Sequence, residues 1–261
     1  MLGFLTPLSI GFLQGLVGAG GGMLAVPIMC YWFSYPATLA TAYSLFVIGV
    51  SCLVGVRHYV RKKNVDYKIA ALYGVPSLIG VFIARKFLLP SVPDPVSQDI
   101  CGFCLTKDSF VLMTFATLMI FAGWSMVRGW RRKFMPADNM QAMFAFAIQG
   151  FLIGILTGFV GSGGGFLIIP ALVIFAGLDM KVAIGTSLII VAVKSLVGFC
   201  GDLSSIEIDW TFLLTFSGLS VAGIFIGTRI SDRLDGESLK PIFGWMMIGM
   251  STFIIIKEIF F

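Results

Sequence analysis

Residues 11–27 read GFLQGLVGAGGGMLAVP, and residues 154–170 read GILTGFVGSGGGFLIIP. The two stretches are related by an offset of 143 residues without a gap: Gly11, Gly15, Gly18, Gly20, Gly21, Gly22, Leu24 and Pro27 fall on Gly154, Gly158, Gly161, Gly163, Gly164, Gly165, Leu167 and Pro170. The register continues outward through Ala40/Ala183, Ser44/Ser187, Leu45/Leu188 and Gly55/Gly198, then through Asp66/Asp209, Gly80/Gly223 and Lys86/Arg229. So many shared glycines and prolines in one register mark a duplicated half.

The material between these motifs is strongly apolar. Of 261 residues, 58% are hydrophobic and 12% charged, against about 25% charged in ordinary soluble domains. Arg57 is the first charged residue, and residues 139–178 contain no Asp, Glu, Lys or Arg. This composition excludes a soluble enzyme, a disordered chain and a nucleic-acid-binding domain. It predicts a multi-pass protein of the cell membrane, with the lipid bilayer as its surroundings. Residues 1–11 lack the basic start of a cleavable signal peptide. The net charge of +5 belongs to short loops beside apolar spans.

Each half has four apolar segments, roughly 3–35, 37–56, 67–89 and 109–128, then 141–177, 182–201, 210–229 and 239–257. The N-terminal repeat covers 1–130, a linker 131–140 and the C-terminal repeat 141–261. The first segment of each repeat exceeds the roughly 20 residues that one span needs, and its glycine run is a poor helix former. Either it crosses once with a kink, or it enters, turns and leaves on the same side.

Loop charge separates these readings. If all eight segments cross, ten Lys/Arg share one side with the acidic loop 202–209 and seven lie opposite. If the glycine-broken segments are re-entrant, thirteen basic residues collect on one side. These are Arg57, Arg61, Lys62, Lys63, Lys68, Arg128, Arg131, Arg132, Lys133, Lys181, Arg229, Arg233 and Lys240. Only Arg85, Lys86, Lys107 and Lys257 lie opposite, together with the acidic loop. The sequence therefore predicts an all-α integral membrane protein of two inverted-topology repeats. Each repeat is a glycine-broken, re-entrant helical segment plus three transmembrane helices, as in many secondary transporters. The inserted loop 90–107 becomes extracytoplasmic.

Non-helical backbone at membrane depth is tolerated only inside protein or beside a watery cavity, so the two turns are expected to meet near the midplane. Gly20, Gly21 and Gly22, with Gly163, Gly164 and Gly165, would offer backbone N–H groups to an anion there, and Ser162 would add a hydroxyl. The competing reading is close helix packing through small residues. Thr41, Ser44, Thr186 and Ser187 lie early in the next helix of each half. They either donate to the bound oxyanion or bond back to a helix carbonyl. Lys194 lies in an otherwise apolar span, where an ionisable group is expensive and marks function by default. It either balances an anion and titrates during transport, or snorkels outward toward Asp202. Gln14 and Gln149 either line the cavity or bond between helices. Asp66 and Asp209 suit helix N-caps. His58 reads as interfacial. Cys30, Cys52 and Cys200 read as small buried side chains, and no metal or other cofactor is implied. Cys101 and Cys104 have redox spacing and supply an alternative: a membrane redox or sulfur-transfer protein. An anion channel built from the same turns is another.

A glycine-rich turn followed by Leu-x-x-Pro and then Ala-x-x-x-Ser-Leu, present in both halves and clearest as GFVGSGGGFLIIPAL and AIGTSL, resembles the TauE/SafE sulfite exporter family, also called 4-toluene sulfonate uptake permeases. The resemblance covers about residues 8–89 and 151–232. It implies a secondary transporter of a small sulfur-containing anion (sulfite, thiosulfate, a sulfonate or sulfoacetate) working by alternating access, with proton coupling compatible but no carboxylate relay in sight. Tyr43 stands where the second half has Thr186, and the 90–107 loop has no place in the family pattern.

Overall fold

The computed structural model describes residues 2–91, 97–100, 103–105, 107–129, 140–160, 163–203 and 206–260. The first repeat contains α1 (Leu2–Val17), a 3₁₀ segment (Gly18–Leu24), α2 (Ala25–Tyr31), α3 (Ala37–Arg61) and α4 (Tyr67–Ile83). A π turn (Ala84–Leu88) extends α4 into α5 (Leu89–Ser91), and α6 (Lys107–Val127) follows the insert. The second repeat contains α7 (Met140–Val160), α8 (Gly165–Ile174), α9 (Met180–Asp202), α10 (Trp210–Ser231) and α11 (Gly236–Phe260). Eight helical segments are long and apolar enough to cross a membrane. Within the insert, β1 (Ser97–Ile100) pairs antiparallel with β2 (Phe103–Leu105). These are the strands among the described residues.

Local signals place the helix starts. Asp66 accepts the Ile69 N–H at 2.9 Å and Asp209 accepts the Phe212 N–H at 3.0 Å, capping α4 and α10. Each cap is held in turn by a hydroxyl from the other repeat. The Asp66 N–H donates to Thr186 Oγ1 at 3.0 Å, and the Asp209 N–H donates to the Tyr43 hydroxyl at 2.8 Å. Thr186 and Tyr43 occupy matching repeat positions, so two different side chains supply the same acceptor. Each hydroxyl thus satisfies a backbone N–H at a helix start.

Helix packing crosses the repeats. A Cβ on Gly11 or Gly15 of α1 would strike the backbone of Ser220 or Ile224 on α10, and Gly223 and Gly227 face Leu8 and Phe12 in return. Residue numbers rise together along both helices, so α1 and α10 are parallel. The matching pair is α7 with α4, where Gly150, Gly154 and Gly158 face Tyr73, Ser77 and Val81, again parallel. Helices without side chains at the contact let backbones approach closely, which is how apolar helices gain packing inside a bilayer. The equivalent helices α3 and α9 run antiparallel, with Gly49 facing Leu196 and Gly185 facing Tyr59. The α6–α11 pair also runs antiparallel, through Gly123 and Gly244.

These senses fix the course of the first segment. Ser51 of α3 bonds Ser220 of α10 at 2.9 Å, and Tyr59 bonds Ser231 at 3.2 Å, so α3 and α10 are parallel. Both α1 and α3 therefore run the same way as α10, and the chain between them must double back. It does so through the 3₁₀ segment and α2. Lys62 and His58 at the end of α3 meet Asp232 at the end of α10, at 2.6 and 3.0 Å. Asn64 lies against Gly185, near Lys181 at the start of α9. Arg85 and Asp202 meet at the opposite end of the bundle.

Filling the α1–α10 contact should be more costly than ordinary overpacking at about 1–3 kcal/mol, because the obstacle is backbone. Gly223→Leu is expected to abolish a monodisperse, cooperatively melting protein in detergent. Gly218→Leu, on the same helix with nothing within 4 Å of its Cβ position, is expected to leave the melting temperature unchanged. Thermal unfolding of the two purified variants checks this.

Candidate functional site

The two glycine turns lie side by side. A Cβ on Gly165 would fall against Ala19, and Ile48 of α3 touches both turns. Its Cδ1 lies 2.8 Å from the Cβ position of Gly22, and its Cγ2 lies 2.9 Å from that of Gly163. The turns differ in conformation. In the second, Gly163 and Gly164 have φ of +66° and +69°, a left-handed pair that glycine adopts at little cost, and α8 begins at Gly165. Leu167 and Ile168 both donate to the Gly164 carbonyl, while Gly165 and Phe166, ahead of them, have no preceding helical carbonyl to donate to. In the first glycine turn, only Gly18 is left-handed, at +79°, and Gly18–Leu24 winds as a 3₁₀ helix. Its i→i+3 bonds occupy N–H groups that a fresh α-helix start would leave open. The expected half-helix after Gly22 is thus delayed to Ala25.

Lys194 reaches into this region rather than toward the membrane surface. Its Nζ donates to Thr157 Oγ1 at 2.8 Å and lies 2.7 Å from the Cβ position of Gly164. The residue is 1% exposed. Thr157 passes its own proton to the Gly154 carbonyl at 3.3 Å. Asp202, the partner that outward snorkelling would require, is held by Arg85 at 2.9 Å instead. An ammonium carries three donors, and Thr157 is its hydrogen-bond partner among the described residues.

Gln14 holds the place in the first repeat that Thr157 holds in the second. It is fully buried beside Gly21 and Gly22, and its amide nitrogen and oxygen have no partner in the described structure. Ser195, next to Lys194, is equally buried with an unpartnered hydroxyl, 2.8 Å from the Cβ position of Gly163. Unpaired buried polar groups are rare and costly, so their clustering makes this a candidate site. Sequence reasoning passed over Thr157 and Ser195. The signal for Thr157 was its registration with Gln14, a polar residue in the same slot of an otherwise apolar repeat.

The remaining expected site residues are placed as follows. Ser44 donates to the Thr41 carbonyl and Ser187 to the Ile184 carbonyl, both at 2.8 Å. Thr186 receives the Asp66 N–H as described, and Thr41 Oγ1 receives Arg85 at 3.2 Å. Gln149 accepts the Tyr73 hydroxyl at 2.9 Å, a bond between helices. Ser162 and Cys101 fall outside the described residues. Cys104 lies in β2, away from the glycine turns in the chain's course. Cys52 is buried as expected, Cys30 is partly buried, and Cys200 is exposed. No group of three His, Cys, Asp or Glu suited to a metal occurs among the described residues.

A sulfite exporter TauE/SafE family model matches residues 3–254. A probable membrane transporter protein of Xylella fastidiosa is 26% identical, covering 94% of this chain and 91% of its own length. The probable membrane transporter protein YunE of Bacillus subtilis is 25% identical, covering 96% and 95%. The probable membrane transporter protein MJ0441 of Methanocaldococcus jannaschii is 22% identical, covering 95% and 92%. No solved structure matches the chain. Extended over nearly the whole length, and joined to eight helical segments among the described residues that are long and apolar enough to cross a membrane, these matches identify the chain as a multi-pass membrane transporter belonging to the TauE/SafE sulfite exporter family.

Proposed function

We propose that the protein is a secondary transporter that carries one small sulfur-containing oxyanion, of the sulfite, thiosulfate, sulfonate or sulfoacetate class, through a site at the paired glycine turns. The observation that supports this most is Lys194, a buried lysine whose described hydrogen-bond partner is a neutral hydroxyl. A charge removed from water needs a counter-charge or it costs several kcal/mol. An oxyanion supplies that charge and several acceptors at once. Thr157, Gln14 and Ser195 line the same region, and the N–H groups at the start of α8 add fixed partial positive charge. Ser44, Thr186 and Ser187 serve the helices around the site in this conformation. The sulfur class comes from the family's name; the polar groups select for an anion of small size.

The repeats are taken as inverted in the membrane. The antiparallel α3–α9 and α6–α11 pairs, the parallel course of α1 and α3, and the gathering of Lys62, Arg229 and Arg233 at one end all support that orientation. Alternating access then follows from one repeat rocking against the other around the fixed site, with Lys194 the group that exchanges anion, and in a coupled cycle a proton.

Three measurements test this. In proteoliposomes, Lys194→Met should lower flux of labelled sulfite or thiosulfate by about ten- to a hundredfold, the worth of a charge-assisted hydrogen bond at about 1.5–3 kcal/mol. Gly164→Ala, whose Cβ would strike Thr157, should do the same, and survival of flux in both variants rules the site out. Saturable counterflow of labelled substrate is expected of a carrier; its absence with unsaturating flux indicates a channel. In a cysteine-free background, a cysteine at Asn64 should label from the cytosolic face and one at Ile206 from the outer face. Labelling of both from one face contradicts the inverted arrangement.

A further inference from the structure

A second polar station lies at the opposite end of α9 from the basic loops. A cavity of about 740 Å³ opens there, lined by Arg85, Lys86, Lys107, Asp202, Cys200 and Thr38 among others. Arg85 forms part of its wall. The side chain projects from the π turn between α4 and α5, is 1% exposed, and is fixed through one nitrogen only. That nitrogen, Nη1, donates to Asp202 Oδ2 at 2.9 Å and to Thr41 Oγ1 at 3.2 Å. Nε and Nη2 are buried with no partner in the described structure.

Those two atoms form the side-on edge of the guanidinium, whose parallel N–H groups match two oxygens of one oxyanion. A structural ion pair would be expected to use that edge for its own carboxylate. Here Asp202 takes a single corner, which leaves the bidentate edge open while orienting the group. Lys86 stands at the mouth, with its ammonium 5.4 Å from the Phe82 ring centre. Arg85, Lys86 and Lys107 place three basic side chains beside Asp202 in the described lining. Neither charge is dictated by the duplication: Thr228 occupies the position equivalent to Arg85, and Tyr59 that equivalent to Asp202. Asp202 is eight residues beyond Lys194, about 12 Å along the helix, so the cavity lies off the central turns on the side where the anion would enter or leave.

We propose that Arg85 is the core of an outer anion-capture site, which takes one sulfonate- or sulfate-like oxyanion bidentately through Nε and Nη2 before transfer to, or after release from, the glycine turns. This rests on the anion-carrier reading for the identity of its ligand. Π turns recur at functional sites, and Arg85 lies in one.

Cys200, exposed in the cavity wall, gives a direct readout. The full-length protein in detergent, in low-chloride buffer, is alkylated with N-ethylmaleimide, and modification of Cys200 is followed by site-resolved mass spectrometry with and without methanesulfonate or sulfate. Either anion should slow Cys200 modification in the native protein and in Lys194→Met. The anion concentration needed should rise about tenfold or more in Arg85→Lys, since a charge-assisted pair of bonds is lost. The double variant Arg85→Gln/Asp202→Asn removes both charges, so no lone buried ion is left to unfold it, and it should show no protection. Unchanged protection in that variant, protection abolished by Lys194→Met but kept without Arg85, or no protection in the native protein each overturns the proposal. If protection follows Arg85 while Lys194→Met transports normally, the central-site reading falls and this one stands.

Discussion

The arrangement depends on one contact repeated twice: helix backbone pressed on helix backbone, between halves of the chain that are distant in sequence. Gly11 and Gly15 of α1 meet Gly223 and Gly227 of α10, and Gly154 and Gly158 of α7 meet α4 around Ser77 and Val81. In hydrocarbon there is no hydrophobic drive to bring two apolar helices together, so close packing has to supply the attraction. Glycine provides it by removing the side chain at the crossing. Each repeat therefore completes its packing with the other's helices. The same exchange carries the first segment of one half up along the third helix of the other, and leaves the glycine turn suspended beside its counterpart. The site is a by-product of that interlock.

Much of this was legible in the sequence because its determinants are local or repeated. A fixed offset reveals duplication whatever the fold. Asp66 and Asp209 announce helix starts by capping chemistry alone. The uneven distribution of Lys and Arg favoured a doubling-back first segment over a simple crossing, and the parallel α1 and α3 agree with it. What stayed hidden were contacts between repeats. Nothing local distinguishes a threonine that bonds its own helix and also receives Lys194 from one that only bonds its own helix, as Thr157 and Thr215 do respectively. Thr186 looked like an anion donor beside Ser187, yet it receives an N–H from the loop before α4. The substitution of Tyr43 for Thr186 is explained by the same bond, since either hydroxyl reaches the matching aspartate N–H. The 3₁₀ winding of Gly18–Leu24 was also unreadable, since GAGGG and GSGGG carry the same propensity.

The duplication is structurally close but chemically broken. Lys194 has Ser51 as its counterpart, Arg85 has Thr228, and Thr157 has Gln14. A symmetric copy of Lys194 would place a second buried ammonium near the first, and like charges in a low-dielectric interior repel strongly. One cation per site avoids that cost and leaves the first repeat to contribute neutral groups. Gln14, with both donor and acceptor unpaired, can bind an anion's oxygen or its protonated hydroxyl, a versatility that a second lysine would lack.

Symmetry breaking also bears on how two conformations can be held close in energy. In the carrier proposed above, inversion of the repeats would tend to equalise the two facing states, because each half could adopt the shape the other gives up. The buried Arg85–Asp202 pair acts on one end only, and its attraction must be set against the desolvation of both ions. Such a pair contributes little net stability when formed. Pulling it apart without water is expensive, so the end that contains it should open by admitting water or an anion, not by separating the charges dry. The basic end offers the contrasting case. Asp232 is joined to Lys62 and His58 where the three side chains remain 30%, 44% and 29% exposed to solvent, so those contacts can break and re-form at small cost. The two ends of a nearly symmetric scaffold are thus held by interactions of different kinds. That difference, more than the glycine turns they share, gives the molecule a physical means of telling its two faces apart.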